Sequence, residues 1–422
     1  MKILILAINY APEATGFAPH ITAASEYFVA QGHSVSVVTG FPFSPNWARW
    51  PQYRGRFIQR EILNGVEIVR ITHFIPARAR SIWQRLLMEG SFCLLALPVI
   101  LLRLGLKRDL ILYVGAQPSI ALLARSLAVL SRAPYMVNIN DLAAQAAGDV
   151  GIVRKKWQLG LLNWIEFQAY TRASGAMVLC GAFRDALVAN GYPSDRIRLI
   201  PPPVDLALIR PVSTGPSFRA EHDLLPSDFI ILYSGSMGLK QDLPTAVEAA
   251  RLLKHAHPEI KWILVGDGER RAAVAQLIAE AGLDRVMRIL PLQPIERMSS
   301  MYAAADVLLL GQLKMVKDTV IPSKLLTYMA AGRPILAAVN ASSQGAVLLR
   351  GAQGGVLVIP ENPAALAAGV IGLQADRVAL AAMGRRNRVY AEEHFDQHKI
   401  MAAQEHFLRD VLCAAKEKAQ SL

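Results

Sequence analysis

The sequence predicts an α/β protein built from two doubly wound, Rossmann-like domains. Short β-rich apolar runs alternate with helical patterns along almost the whole chain, as expected of parallel sheets covered by helices on both faces. At 422 residues, 53% of them apolar and 18% charged, the chain exceeds one ordinary core and has ample apolar side chains for two. A stiff, strand-breaking stretch, Pro201-Pro202-Pro203-Val204-Asp205, followed by a polar segment over 211–228, divides the strand series in two.

The first series of strands reads as 2–8, 34–39, 66–71, 110–113, 135–139 and 176–179. The apolar run over 3–8 follows a single Lys2 and is shorter than a signal-peptide core, so it reads as a buried first strand. The second series reads as 229–234, 261–265, 286–290, 307–310, 334–338 and 356–359, with helices at 21–31, 246–255, 270–280 and 323–331 among the connections. These limits put an N-terminal domain at 1–204, a C-terminal domain at 205–392 and a helical tail at 393–422 that packs back on the first domain. Ligands of such sheets lie beyond the carboxyl ends of the strands, so a cleft between the two domains is the expected binding place.

The balance of 45 Lys+Arg against 33 Asp+Glu gives a formal charge of +12, which suits anionic lipid or phosphorylated small molecules as well as a diffusely basic surface. No Lys/Arg run, zinc-finger spacing or aromatic-basic motif points to nucleic acid. Cys93, Cys180 and Cys413 are far apart, which fits a reducing cytoplasm rather than a disulfide framework or metal site. Mean hydropathy is high, at +0.30. One charge-free run, SFCLLALPVILL over 91–102, is flanked by Arg78, Arg80 and Arg85 and by Arg103, Lys107 and Arg108. By itself it falls short of the ~20 residues needed to span a bilayer. It reads either as an interfacial segment with its cations toward anionic headgroups or as a buried helix of the first domain.

Four stretches carry candidate chemistry. Asn9 to Phe17 is a loop between the first strand and a helix, in which Gly16 permits close backbone approach to an anion. It lacks the GxGxxG fingerprint of nicotinamide enzymes. Tyr233-Ser234-Gly235-Ser236-Met237-Gly238-Leu239-Lys240 follows the first strand of the second domain, with two glycines for a phosphate-facing turn and Lys240 as a point charge. Val265-Gly266-Asp267-Gly268-Glu269 is a second glycine-bearing strand end. Pro322-Ser323-Lys324 reads as a helix entry with free amides and a hydroxyl for a phosphate, closed by Gly332 before the next strand.

Taken together, "ILAINYAPEATG", "YSGSMGLKQDL", "LVGDGE", "MYAAADVLLL" and "IPSKLLTYMAAGRPILA" resemble the retaining nucleotide-sugar glycosyltransferases of family 4, which have the two-domain GT-B fold. The likeness is greatest to the bacterial colanic-acid and O-antigen fucosyl- or N-acetylfucosaminyltransferase-like group, and it extends from residue 2 to about 395. The resemblance implies that Gly16 lies near the donor diphosphate, that Gly235 and Lys240 hold it, and that Ser236 and Gly266 are donor-binding, the Gly266 turn being one that could sit beside a base or ribose. It implies that Leu292 and Gln293 lie along the base, and that Pro322, Ser323, Lys324 and Thr327 face the phosphates or donor sugar. A His-Asp pair that touches the donor sugar in many relatives corresponds to Asn140-Asp141, with a helix cap as the alternative role for Asp141. Relatives carry glutamates where this chain has Thr319 and Thr327, with Asp318 beside the first; the carboxylate that would meet the ribose hydroxyls is therefore missing.

The resemblance further implies transfer from a UDP- or GDP-sugar with retention, without an obligatory metal or other cofactor, to a polyprenyl-linked saccharide. The expected setting is the cytoplasmic face of the cell membrane in surface-polysaccharide synthesis. Asp141, Asn140 and Lys240 are the expected catalytic residues. A nucleotide-sugar 2-epimerase and a non-catalytic sugar-nucleotide-binding subunit are the alternatives.

Overall fold

The computed structural model describes residues 1–14, 16–44, 46–77, 82–144, 156–316 and 321–420. The chain forms two compact units, Met1–Pro201 with Met401–Leu422, and Pro202–Ile400.

The first unit holds β1 (Lys2–Leu6), β2 (Ser34–Gly40), β3 (Ile58–Leu63), β4 (Val66–Ile71), β5 (Leu110–Gly115), β6 (Tyr135–Ile139), β7 (Gly175–Val178) and β8 (Ile197–Leu199). They form one sheet in the order β3-β4-β2-β1-β5-β6-β7-β8. Every pairing is parallel except β3 with β4. The second unit holds β9 (Phe229–Ser234), β10 (Ile260–Val265), β11 (Met287–Leu290), β12 (Val307–Gly311), β13 (Ile335–Ala338) and β14 (Gly355–Val358). Its order β11-β10-β9-β12-β13-β14 is all parallel. This is the doubly wound arrangement, with the strand order reversing beside β9.

Burial follows from that topology. All residues of β9 are buried, as are Ile3 to Leu6 of β1, because helices cover both faces of a parallel sheet. In the second unit Trp262, Tyr233 and Phe229 pack with Leu243, Val247 and Leu253 of a following helix. Each fully buried side chain of this size contributes about 1.5–3 kcal/mol.

Two edge strands, β3 and β8, are absent from the expected series. β3 is mostly exposed, and Gln59, Arg60 and Glu61 break its apolar run, so its strand signal is weak. Its turn was nevertheless written in the sequence: Asn64 and Gly65, with φ of 50° and 80°, make the Asn-Gly hairpin that favours positive φ at both residues.

The connecting helices that matter below are α1 (Ala18–Ala30), α2 (Ile82–Val99), α3 (Pro118–Ser131), α4 (Lys156–Tyr170), α5 (Leu243–Leu253), α6 (Ser323–Ala330) and α7 (Gln397–Gln420). The unit boundary falls between 201 and 202, and the tail expected from Glu393 enters the first unit at Met401. Val204 donates its amide to the Phe395 carbonyl and accepts from Gln397, at 2.8 and 3.1 Å, so the outgoing and returning chain segments are tied together within the second unit. Beyond Met401, α7 packs on the first unit. Glu405 meets His33 at 2.8 Å, and a Cβ on Gly175 would lie 2.8 Å from Val411.

The charge-free segment is part of a longer element. α2 continues through a π-turn, Ile100–Leu104, and the span Trp83–Leu104 is 22 residues long and apolar enough to cross a membrane, with a third of it buried. The length argument from 91–102 alone is thereby corrected: helical structure extends past the uncharged run in both directions. Met88, Phe92, Ala96 and Val99 form a buried stripe at helical spacing, whereas Trp83, Leu87, Leu94 and Leu102 are exposed. Arg78 and Arg80 lie outside the described residues.

Candidate functional site

In the second unit β9 delivers Ser234 to the strand end, and Tyr328 of α6 brackets it. The Ser234 amide donates to the Tyr328 hydroxyl at 2.8 Å, which donates to the Ser234 carbonyl at 3.1 Å. The chain then turns at Gly235, whose φ of +137° is one that side-chain-bearing residues rarely adopt. A Cβ there would stand 3.2 Å from Lys324 Cε. Gly266 supports the turn from below, because a Cβ on it would lie 2.0 Å from the Gly235 carbonyl oxygen.

This turn, the start of α6 and the loop after β11 enclose a cavity of about 440 Å³. Gly235, Ser236, Leu292, Gln293, Pro322, Ser323, Lys324 and Thr327 all line it, together with Gln241, Tyr302 and Gln312. Lys324 Nζ donates to the Tyr233 hydroxyl and to Gln241 Oε1, both at 2.8 Å, and lies 4.4 Å from the centre of the Tyr233 ring. The ammonium is thus held at the mouth of a helix N-terminus, beside a glycine turn. That combination suits a phosphate through fixed positive charge and free amides.

Three expectations are changed by this geometry. Lys240 is exposed and is not among the residues lining the cavity, so Lys324 is the cation that does. Gly266 is buried beneath the Gly235 turn and is also not among the lining residues. Thr327 donates its hydroxyl to the Lys324 carbonyl at 2.9 Å, a helix back-bond that leaves it able only to accept from a ligand in the cavity. Asp318 and Thr319 lie outside the described residues.

In the first unit a cavity of about 300 Å³ opens at the carboxyl ends of β1, β5 and β6. Gly16 and Asp141 line it with Trp47, Arg85, Glu89 and Ser119. Gly16 has φ +63°, and nothing lies within 4 Å of where a Cβ would be. Asn140 is not at this cavity. Consecutive residues leaving a strand point to opposite faces, and Asn140, 3% exposed, borders a separate small cavity with His20 and Gln404. The expected pairing of Asn140 with Asp141 at one ligand is corrected accordingly. Arg85, one of the cations flanking the charge-free run, lines the cavity.

Buried carboxyls that motif reading passed over shape this place. Glu166 on α4 accepts the amides of Ala143 and Ala144 at 2.8 and 3.1 Å and the Tyr170 hydroxyl at 3.2 Å, fixing the turn after Asp141. Burial pushes the Glu166 carboxyl up to about 7 against those hydrogen bonds. Glu89 on α2 is also pushed up to about 7 by burial, which its bonds to Ser119 and the charge of Arg85 oppose. Glu13 accepts the amides of Phe43 and Ser44 at 2.8 and 2.7 Å and so holds the loop leading to Trp47. An acidic residue inside an apolar helical pattern, such as Glu89 or Glu166, is the only local sign these residues give.

Residues 15–203 match the glycosyl transferase 4-like domain, and residues 216–390 match the glycosyl transferases group 1 family. The chain is a group 1 glycosyltransferase with a 4-like N-terminal domain. This glycosyltransferase is 28% identical to WcaI of Escherichia coli K12, named as a colanic acid biosynthesis glycosyl transferase, over 97% of this chain and 100% of that protein. Among solved structures, the sucrose-phosphate synthase of Thermosynechococcus elongatus superposes with a TM-score of 0.74 at 18% identity, covering 98% of this chain and 99% of the other. HepE from Anabaena, solved in complex with UDP, gives 0.71 at 15% identity, covering 97% and 100%. At these identities the likeness establishes the fold, that of GT-B glycosyltransferases.

Proposed function

We propose that this glycosyltransferase moves a sugar from a nucleoside-diphosphate donor, bound by the second unit, onto a saccharide acceptor bound in the cavity of the first, in bacterial surface-polysaccharide synthesis. The observation that carries the donor assignment is Lys324, held at the N-terminus of α6 against the Gly235 turn inside a cavity of nucleotide size. The relationship to WcaI supports the polysaccharide setting, and the UDP bound by HepE supports a nucleotide donor.

In this reading Lys324 and the amides at Ser323 stabilise the charge that develops on the leaving diphosphate, with the exposed Lys240 as a more distant cation. The bond from the sugar's anomeric carbon to the diphosphate oxygen breaks as the acceptor oxygen bonds on the same face, with retention. The acceptor's proton passes to a donor phosphate oxygen, and no metal is required. Asp141 positions the acceptor, held in place through the Glu166 turn. The hexosyl or deoxyhexosyl nature of the donor sugar is inferred from the colanic-acid likeness.

The acceptor is a polyprenyl-linked saccharide, and the protein rests on the cytoplasmic face of the membrane. The exposed apolar face of α2, with Trp83, Leu87, Leu94 and Leu102, supports this placement, as do Trp157, Leu161 and Trp164, which share one exposed face of α4. The buried stripe of α2 packs within the unit, which favours a helix lying on the bilayer over one crossing it.

Calorimetry with UDP, GDP, ADP and NAD tests the donor assignment. Selective binding of UDP or GDP is the expected result, and binding of NAD alone or of none overturns it. The anomeric configuration of the product, read by proton NMR, tests retention.

A further inference from the structure

The cavity of the second unit has an unmet requirement. Gln312 follows β12 directly; its backbone amide is fixed to the Ala338 carbonyl at 3.0 Å, and its side chain is 5% exposed. Gln312 Oε1 is buried with no hydrogen-bond partner among the described residues, yet the residue lines the cavity beside Lys324 and Thr327. Leaving such a group unpaired costs about 1–3 kcal/mol, and native proteins keep few of them without a use.

The neighbours do not fill that need. Gln241 Oε1 is engaged by Lys324, Gln293 donates to the Pro291 carbonyl, and the Thr327 hydroxyl is turned onto its own helix. No acidic side chain is among the described residues that line the cavity. A hydroxyl can donate to a carboxamide or accept from it, so a ligand hydroxyl meets the requirement in either orientation of the amide. A neutral carboxamide also does this without repelling a diphosphate held nearby by Lys324, as a carboxylate would.

We propose that Gln312 is the hydroxyl-recognising residue of this cavity, pairing with a sugar hydroxyl of the nucleotide donor, on either the ribose or the transferred sugar. The proposal rests on the donor assignment made above. In place of charge, this enzyme reads the hydroxyl with a buried amide at the end of β12.

The test is calorimetry on the full chain and on Gln312→Leu. The ligands are UDP and GDP, their 2′- and 3′-deoxy forms, and UDP-glucose, UDP-N-acetylglucosamine, GDP-mannose and GDP-fucose. Thermal melting of the ligand-free proteins accompanies it. Because leucine removes an unpaired buried amide, the ligand-free variant should melt at or above the wild-type temperature while binding its nucleotide or nucleotide sugar about tenfold more weakly. If the ribose is read, the loss appears with the plain nucleotide, and one deoxy form binds wild type as weakly as the intact nucleotide binds the variant. If the transferred sugar is read, plain nucleotide binding is unchanged and only the sugar conjugate weakens. Unchanged binding of every ligand overturns the proposal, as does a clearly lower melting temperature, the mark of a merely structural side chain. Failure of wild type to bind any of them removes the donor assignment, and the proposal with it.

Discussion

The two cavities stand at equivalent places, the carboxyl ends of parallel strands, and are walled by opposite chemistry. In the first unit Glu89 and Asp141 line the wall beside Arg85, with Glu166 and Glu13 buried around it. In the second, the described lining holds Lys324, three glutamines, Ser323 and a glycine turn, without a carboxylate. One scaffold thus supplies a cavity whose carboxyl groups sit beside the Arg85 guanidinium, and another whose cation, helix N-terminus and glycine turn suit phosphate. The difference supports the proposed division of acceptor and donor between the two units.

The sharpest way to break this comparison is to remove the cation. Lys324→Ala should lower kcat/KM by about 10²–10³-fold, the scale of losing one fixed stabiliser of developing charge. Lys240→Ala, at an exposed position, should cost less than about tenfold. Steady-state transfer assays on both variants check the order, and the reverse order would return the lead role to Lys240. Gly235→Ala comes next: the strained φ and the approach to Lys324 Cε predict a loss of about 1–3 kcal/mol in stability, with weakened nucleotide binding. Denaturant unfolding and calorimetry measure the two.

The carboxyl-lined side is tested by pH. Glu89 titrates near 7 in the folded protein and near 4.5 when unfolded, so the folded state holds its proton longer. Its contribution to stability therefore falls as pH rises from about 4.5 to about 7 and is fully lost above that. Glu89→Gln should accordingly gain on wild type by up to about 3 kcal/mol at pH 8, with the advantage gone near pH 4. Melting curves across that range read the difference; a constant offset at every pH would place the effect elsewhere. The smallest effect on the fold is expected at the apolar surface. Leu94→Glu and Leu102→Glu should leave melting unchanged and reduce cosedimentation with anionic vesicles. Phe92→Asp, in the buried stripe, should unfold the first unit.

Much of the fold is legible in the sequence. The strand centres and the four named helices fell where expected, because long apolar runs and helical spacing are local signals. Pro322-Ser323 did open a helix, and Gly332, with φ +66°, did close it. β3 escaped because Gln59, Arg60 and Glu61 interrupt its apolar residues on an exposed edge, and β8 because it is only three residues long.

The sequence by itself determined the class of fold, its division near the Pro201–Pro203 break, the glycine turn at Gly235 and the helix entry at Ser323. Each depends on backbone preferences within a few residues. Only the tertiary structure decided that Lys324 rather than Lys240 enters the cavity, that Asn140 and Asp141 part company, and that Gln312 and Glu89 face enclosed space. Those outcomes depend on which side chains β6, β12, α2 and α6 bring together across long stretches of chain. Burial, which sets both an unpaired amide and a raised carboxyl pKa, exists only once that packing has formed.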